Sequence, residues 1–142
     1  MIQNGGIDTE DSYPYMGVQR YCRFSRFSVG ARISSYVNIN QGNEAELQYA
    51  VANFGPVSVG IDASLRSFMF YSGGVYSDRA CSPYRLNHGV TVVGYGTTTD
   101  GIDYWKIKNS WGAQWGQGGY ILVRRNAGNL CGIATQASYP VL

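Results

Sequence analysis

The sequence predicts an α+β fold, mainly antiparallel strands with one well-marked helix, and three observations predict it. Apolar residues alternate with polar or small ones in several short runs, the pattern of strands with one buried face. Nineteen of the 142 residues are glycine, which favours strands and turns over a helical bundle. Only one stretch, around residues 43–56, combines helical spacing with both a start and a stop signal.

In order along the chain, Asn4-Gly5-Gly6 reads as a helix stop with no helix in front of it. Tyr13-Pro14-Tyr15 reads as extended, because proline disfavours the helical region for the residue before it. Val29, Ala31 and Ile33 alternate with Ser28, Gly30 and Arg32 as in a strand, and Tyr36, Val37 and Ile39 form a second run. The helix follows. Asn43 is its cap with Glu46 three residues on, and Leu47, Ala50, Val51 and Phe54 make the apolar stripe before Gly55-Pro56 ends it. No chemistry is visible on this helix. Val57, Val59 and Ile61 alternate again; Phe68, Met69, Phe70 and Tyr71 read as core and rim.

Residues 87–116, NHGVTVVGYGTTTDGIDYWKIKNSWGAQWG, organise the rest. Two apolar runs around a polar loop predict a hairpin, with His88 opposite Asn109, Val90 opposite Ile107 and Val92 opposite Trp105, and the turn near Thr98 and Thr99. The core face is then apolar, with His88, the only histidine, and Asn109 at its open end. An asparagine amide can accept a ring N–H and fix the imidazole, leaving the other nitrogen to handle a proton. A neutral orienter suits a cysteine nucleophile, whose thiol ionises more readily than a hydroxyl. From the pair alone, a satisfied core histidine beside a turn asparagine is the competing reading. After the hairpin, Gly116-Gln117-Gly118-Gly119 makes a turn, 120–125 reads as a strand with Ile121 and Val123 on one face, Trp115 packs on Trp111, and 133–142 is a final extended segment.

HGVTVVGYG and YWKIKNSWGAQWGQGGY resemble the histidine and asparagine blocks of the papain-like cysteine proteases, nearest the cathepsin L type. GGIDTEDSYPY, FGPVSVGIDA and CGIATQASYPVL are similar to the same family, so the resemblance runs the length of the chain. It implies a papain-like fold. Residues 1–25 would be the trailing segment of the helical left-hand domain, and 26–142 the antiparallel, barrel-like right-hand domain. It also implies that His88 is the catalytic base and acid, that Asn109 orients it, and that Trp111 shields their hydrogen bond and lines the leaving-group side. Gly60, Leu86, Asn87 and Gln136 would line the substrate cleft. A glycine wall and a neutral glutamine there would favour a bulky apolar side chain. The competing reading makes Gly60 a bulge and Gln136 a solvated surface residue.

By the same resemblance Cys81 pairs with Cys131, and Cys22 is left unpaired, its partner expected upstream of Met1. A nucleophilic role for Cys22, which lies between Arg20 and Arg23, is the alternative. The family's nucleophile block, C-G-[SA]-C-[WY], does not occur in these residues, and Gln3, Gln19, Gln41 and Gln48 sit in the wrong contexts for its oxyanion glutamine. The expectation is therefore the C-terminal part of a cathepsin L-like endopeptidase, inactive by itself and awaiting an N-terminal part with the nucleophile. The alternative is a truncated, non-catalytic chain or pseudoprotease that binds peptide or a protease partner.

Composition narrows the partners. Charged residues are 14% of the chain, against about 25% in ordinary soluble domains, and the net charge is +2. No basic cluster exceeds Arg124-Arg125, which argues against nucleic acid or an anionic membrane and leaves peptide or protein as substrate. One histidine and scattered cysteines offer no metal-ligand spacing, and no cofactor is expected. The first residues have neither the basic nor the apolar region of a signal peptide, while the resemblance implies a lysosomal or secreted protein.

Overall fold

The structure is a computed structural model that describes all of residues 1–142. It divides into two units, Met1–Val37 with Pro140–Leu142, and Asn38–Tyr139.

In the first unit, a single 3-10 turn, Ile2–Asn4, ends on Gly5 at φ 75°, so the stop expected at 4–6 does have a tight turn in front of it. β1 (Ile7–Asp8) pairs antiparallel with β2 (Val29–Ala31), a shorter strand than the alternation to Ile33 suggests. Arg32 Nη1 donates to the Gly5 carbonyl at 2.6 Å, and the Asp8 carboxylate accepts the Ser25 N–H at 2.9 Å. β3 (Ser35–Asn38) is exposed throughout. Of residues 1–37 only Gly6 is buried, while Tyr21 is 94% and Phe27 92% exposed. Local hydrogen bonds, not a core, hold this unit.

The second unit carries the core. α1 (Glu44–Asn53) starts as expected: Asn43 Oδ1 accepts the Glu46 N–H at 3.0 Å. Glu46 reaches back one turn further than a reciprocal box, to the Asn40 N–H at 3.1 Å. Leu47 and Ala50 are buried, but Phe54 is 57% exposed and lies outside the stripe. It follows the last helical residue, where the chain turns toward Gly55, and its ring stacks on Tyr139 at 4.7 Å instead.

β4 (Val57–Ile61) is followed by the short helix α2 (Arg66–Met69), β5 (Val75–Tyr76), and the hairpin β6 (His88–Thr97) and β7 (Asp103–Lys108); β8 (Tyr120–Arg124) and β9 (Ala137–Val141) complete the order. Within this unit the strands run β9-β4-β6-β7-β8-β5, antiparallel except for β5 on β8. Alternate residues Val57, Val59, Ile61, Val90, Val92, Trp105, Ile107, Ile121 and Val123 face one core with Leu47 and Phe68. Burying each such side chain is worth roughly 1.5–3 kcal/mol. Residues 133–136 are not extended as expected; Ile133 and Ala134 are buried in a turn before β9 begins.

The hairpin register differs from the expected one. Val92 lies opposite Ile107 and Tyr95 opposite Trp105, with Val93 as an extra residue between Val92 and Gly94. A bulge of this kind places two residues against one and re-aims the strand. The strands extend further into the loop than expected, and the turn centres on Thr99 and Asp100, closed by Gly101 N–H to the Thr98 carbonyl at 3.0 Å. The offset from the expected register is two residues at Ile107 and three at Trp105, where the bulge supplies the third, so the apolar face is as expected although its partners are not.

Candidate active site

β6 and β7 bring the two candidate residues together, but diagonally. The ladder ends at Thr91 opposite Lys108, so Asn109 follows opposite Val90 and its amide reaches back toward His88. His88 is itself paired with Ile61 of β4, and the Asn109 N–H donates to the Gly119 carbonyl at 3.0 Å. Both backbones are thus held from outside the hairpin.

His88 Nε2 lies 2.7 Å from Asn109 Oδ1, which also accepts the Ser110 N–H at 2.8 Å. An amide oxygen can only accept, so this contact fixes the Nε2–H tautomer and leaves Nδ1 as the ring nitrogen that Asn109 does not engage. Asn109 is buried, and its Nδ2 has no partner inside the chain. The Trp111 ring lies 5.0 Å from the imidazole, braced edge-on by Phe68 at 5.6 Å and by Trp115 at 5.2 Å. Trp115 is tied in turn by its indole N–H to the Met69 carbonyl at 2.9 Å. The turn behind it needs glycine: Gly116 has φ 57°, and a Cβ there would meet the Tyr120 carbonyl oxygen at 2.5 Å.

His88 also borders an open cleft of about 720 Å³. Gly60, Leu86, Asn87 and Gln136 line it as well, so these residues assigned to the substrate wall fall in one place, whereas Trp111, 5.0 Å from the imidazole ring, does not line this cleft. Gly60 is not a bulge. It pairs in register with Gly89, and a Cβ on it would stand 3.3 Å from Leu86 Cδ1, so the missing side chain leaves the room that Leu86 and the cleft occupy. The side chain of Asn87 turns away from ligand duty, its Oδ1 accepting the Ala63 N–H at 2.9 Å and its Nδ2 donating to Asp62 at 3.2 Å.

The disulfide between Cys81 and Cys131 is present, with Cα atoms 4.8 Å apart and a sequence separation of 50. It joins the segment that carries Leu86 to the turn that precedes Gln136. Cys22 is free and exposed in the first unit. No group of three or more His, Cys, Asp or Glu side chains lies together as a metal site would require.

Two buried carboxylates escaped the sequence reading. Glu44, the first residue of α1, accepts Trp105 Nε1–H at 3.0 Å, Asn126 N–H at 2.9 Å and Asn129 N–H at 2.9 Å. Asp62, just beyond β4, is fully buried. Burial raises its pKa, but hydrogen bonds from the Ser64 hydroxyl, the Ser82 and Ser64 N–H groups and Asn87 outweigh that and hold it below the ordinary 3.8. A charged residue directly after an alternating apolar strand was the available signal for Asp62. For Glu44 there was none, since acids are common in a first helical turn.

An imidazole held by a neutral amide at the rim of an open cleft has the geometry that a base and its orienting partner require. The chain belongs to the papain family of cysteine proteases: the family described as "Papain family cysteine protease" matches residues 1–141. It is 54% identical over 139 residues to "Cathepsin L" of Sarcophaga peregrina, covering 98% of this chain and 41% of that protein. With "Cathepsin K" of Mus musculus it shares 53% over 138 residues, 97% of this chain and 42% of the other. Among solved structures, digestive procathepsin L 3 of the Tenebrio molitor larval midgut superposes with a TM-score of 0.92 at 48% identity, covering 99% of this chain and 46% of that one. The chain thus spans less than half the length of these relatives, and the fold is papain-like α+β.

Proposed function

We propose that this chain supplies the histidine-and-asparagine half of a cathepsin L-like cysteine endopeptidase, with the nucleophilic cysteine brought by a segment outside these 142 residues. The observation that carries the reading is the 2.7 Å bond between His88 and Asn109 at the rim of the cleft. In the reaction His88 Nδ1 takes the thiol proton, the thiolate attacks the peptide carbonyl, and the imidazolium protonates the leaving amine. Water then hydrolyses the thioester with His88 as base. Asn109 holds the ring while its charge changes, and Trp111, packed against the imidazole, keeps water from their bond. The oxyanion donors belong to the nucleophile's segment. Gly60, Leu86 and Gln136 favour a bulky apolar side chain on the residue preceding the cleaved one. The product works in lysosomes or outside cells.

A second reading has one observation of its own. The sole free cysteine, Cys22, is in no nucleophile block, so the chain as it stands could bind peptide, or a protease partner, without cutting. The test is hydrolysis of a fluorogenic peptide with leucine or phenylalanine before the cleaved residue. The proposal expects turnover when the chain is joined behind a segment carrying C-G-[SA]-C-[WY] and its upstream glutamine, and none from the chain alone. Peptide binding without turnover in both forms favours the second reading.

A further inference from the structure

We infer that Asp62 is a positioning residue for His88: its buried carboxylate fixes the Asn87 amide, and through it the chain segment that delivers the imidazole to Asn109. The inference rests on the catalytic reading of His88, but its test reads the imidazole and not hydrolysis, so either can fail alone.

Asp62 has 0% exposure and no cationic partner, a placement that is costly unless hydrogen bonds replace its lost water. They do so here. Oδ1 accepts the Ser64 N–H at 3.0 Å, the Ser64 hydroxyl at 2.6 Å and Asn87 Nδ2–H at 3.2 Å, and Oδ2 accepts the Ser82 N–H at 2.9 Å. Every neighbour is a donor, so an acceptor-only group fits and neither an amide nor an apolar side chain does.

The consequence falls on Asn87. Facing a carboxylate, its amide must present Nδ2, which leaves Oδ1 for the Ala63 N–H at 2.9 Å; its own N–H donates to the Ile61 carbonyl at 3.0 Å. The residue immediately before His88 is therefore pinned at three points to 61–63, while His88 pairs with Ile61. One peptide unit separates this clamp from the imidazole. With Asn at position 62, the amide oxygen keeps the three Oδ1 bonds only by turning its NH2 group onto the Ser82 N–H, and placed the other way the NH2 group opposes Asn87 Nδ2–H; either way the clamp on Asn87 is loosened. An Asp at 87 would set two carboxylates 3.2 Å apart, which like charges oppose. Residues 62 and 87 are thus a matched acid and amide.

The chain has a single histidine, so 15N-labelled imidazole gives one unambiguous set of ring signals by NMR. The expected wild-type signature is the Nε2–H tautomer with a proton slowed in exchange by Asn109. Asp62→Asn, folded by amide dispersion, should exchange that proton at least about tenfold faster, the fold-change for a loss of about 1.4 kcal/mol of protection. Asn87→Ala, which leaves the carboxylate its other three bonds, should move it the same way, and carries the test if Asp62→Asn does not fold. Ile121→Val, a methyl removed from the core on β8, should leave the exchange within about twofold even where it lowers stability similarly. Exchange unchanged in folded Asp62→Asn or Asn87→Ala, or accelerated equally by Ile121→Val, overturns the inference.

Discussion

Replacing Glu44 with glutamine changes almost no volume but removes one acceptor from a buried site that serves three donors. The best placement keeps the amide oxygen where Oε2 receives Trp105 and Asn126, and turns the NH2 group onto the Asn129 N–H. A bond to a charged acceptor is lost and two donors are opposed, which costs about 2–3 kcal/mol. For a chain of this size that is a fall in melting temperature of roughly 6–12 °C. Glu44→Ala strands all three donors, costs about 5 kcal/mol, and removes most of the stability an ordinary domain has. The damage extends toward the cleft. Asn129 holds φ 57°, donates to Thr135 Oγ1 at 2.8 Å and accepts the Ala134 N–H at 2.8 Å, and Thr135 donates to the Pro83 carbonyl at 2.6 Å. The helix that shows no chemistry in its sequence thereby braces one wall of the cleft. Circular dichroism melts and urea titration measure the loss. A Glu44→Gln melting point within about 2 °C of wild type would refute this reasoning.

Other outcomes follow from the same structure. Asp62 has a folded pKa below its unfolded value, so the stability it contributes is present above about pH 4 and disappears as pH falls through the folded value; subtracting the urea stability of Asp62→Asn from that of wild type should give a difference that shrinks below pH 4 and is flat above pH 5. Replacing Cys81 and Cys131 by serine opens a loop closed over 50 residues and should lower stability by about 4 kcal/mol, measured by urea titration against the oxidised chain. Asn109→Ala frees the imidazole and, in the protease joined to its nucleophile segment, should lower kcat on the order of 10²-fold with little change in KM. Gly60→Val places side-chain atoms against Leu86 and into the cleft, so KM should rise selectively for peptides with a large side chain before the cleaved residue.

The alternation of apolar residues located the central strands, because a sheet with one face on a core must repeat every second residue, and Val57, Val59 and Ile61 do so without interruption. The hairpin register was less legible. Placing His88 directly opposite Asn109 met the chemistry but ignored the bulge at Val93, which no side chain announces. The diagonal contact joins the same two side chains from a different register. Phe54 has helical spacing yet stands exposed, since the chain leaves the helix one residue too soon for the stripe to reach it. Glu44 and Asp62 were invisible for a different reason: their donors lie 61 to 85 and 2 to 25 residues away, and only the folded chain gathers them. That His88 and Asn109 meet was legible because a ring N–H needs an acceptor and an amide oxygen supplies one.

The most direct measurement is the rate at which iodoacetamide alkylates the nucleophile at pH 6 in the protease joined to its nucleophile segment, compared between wild type and His88→Ala. A free thiol with a pKa of about 8.5 is only about 0.3% ionised at that pH, whereas a thiolate paired with the His88 imidazolium is largely ionised. Alkylation should therefore slow by about 10²-fold in His88→Ala. Equal rates in the two proteins would contradict the assignment of His88 as the base that activates the thiol.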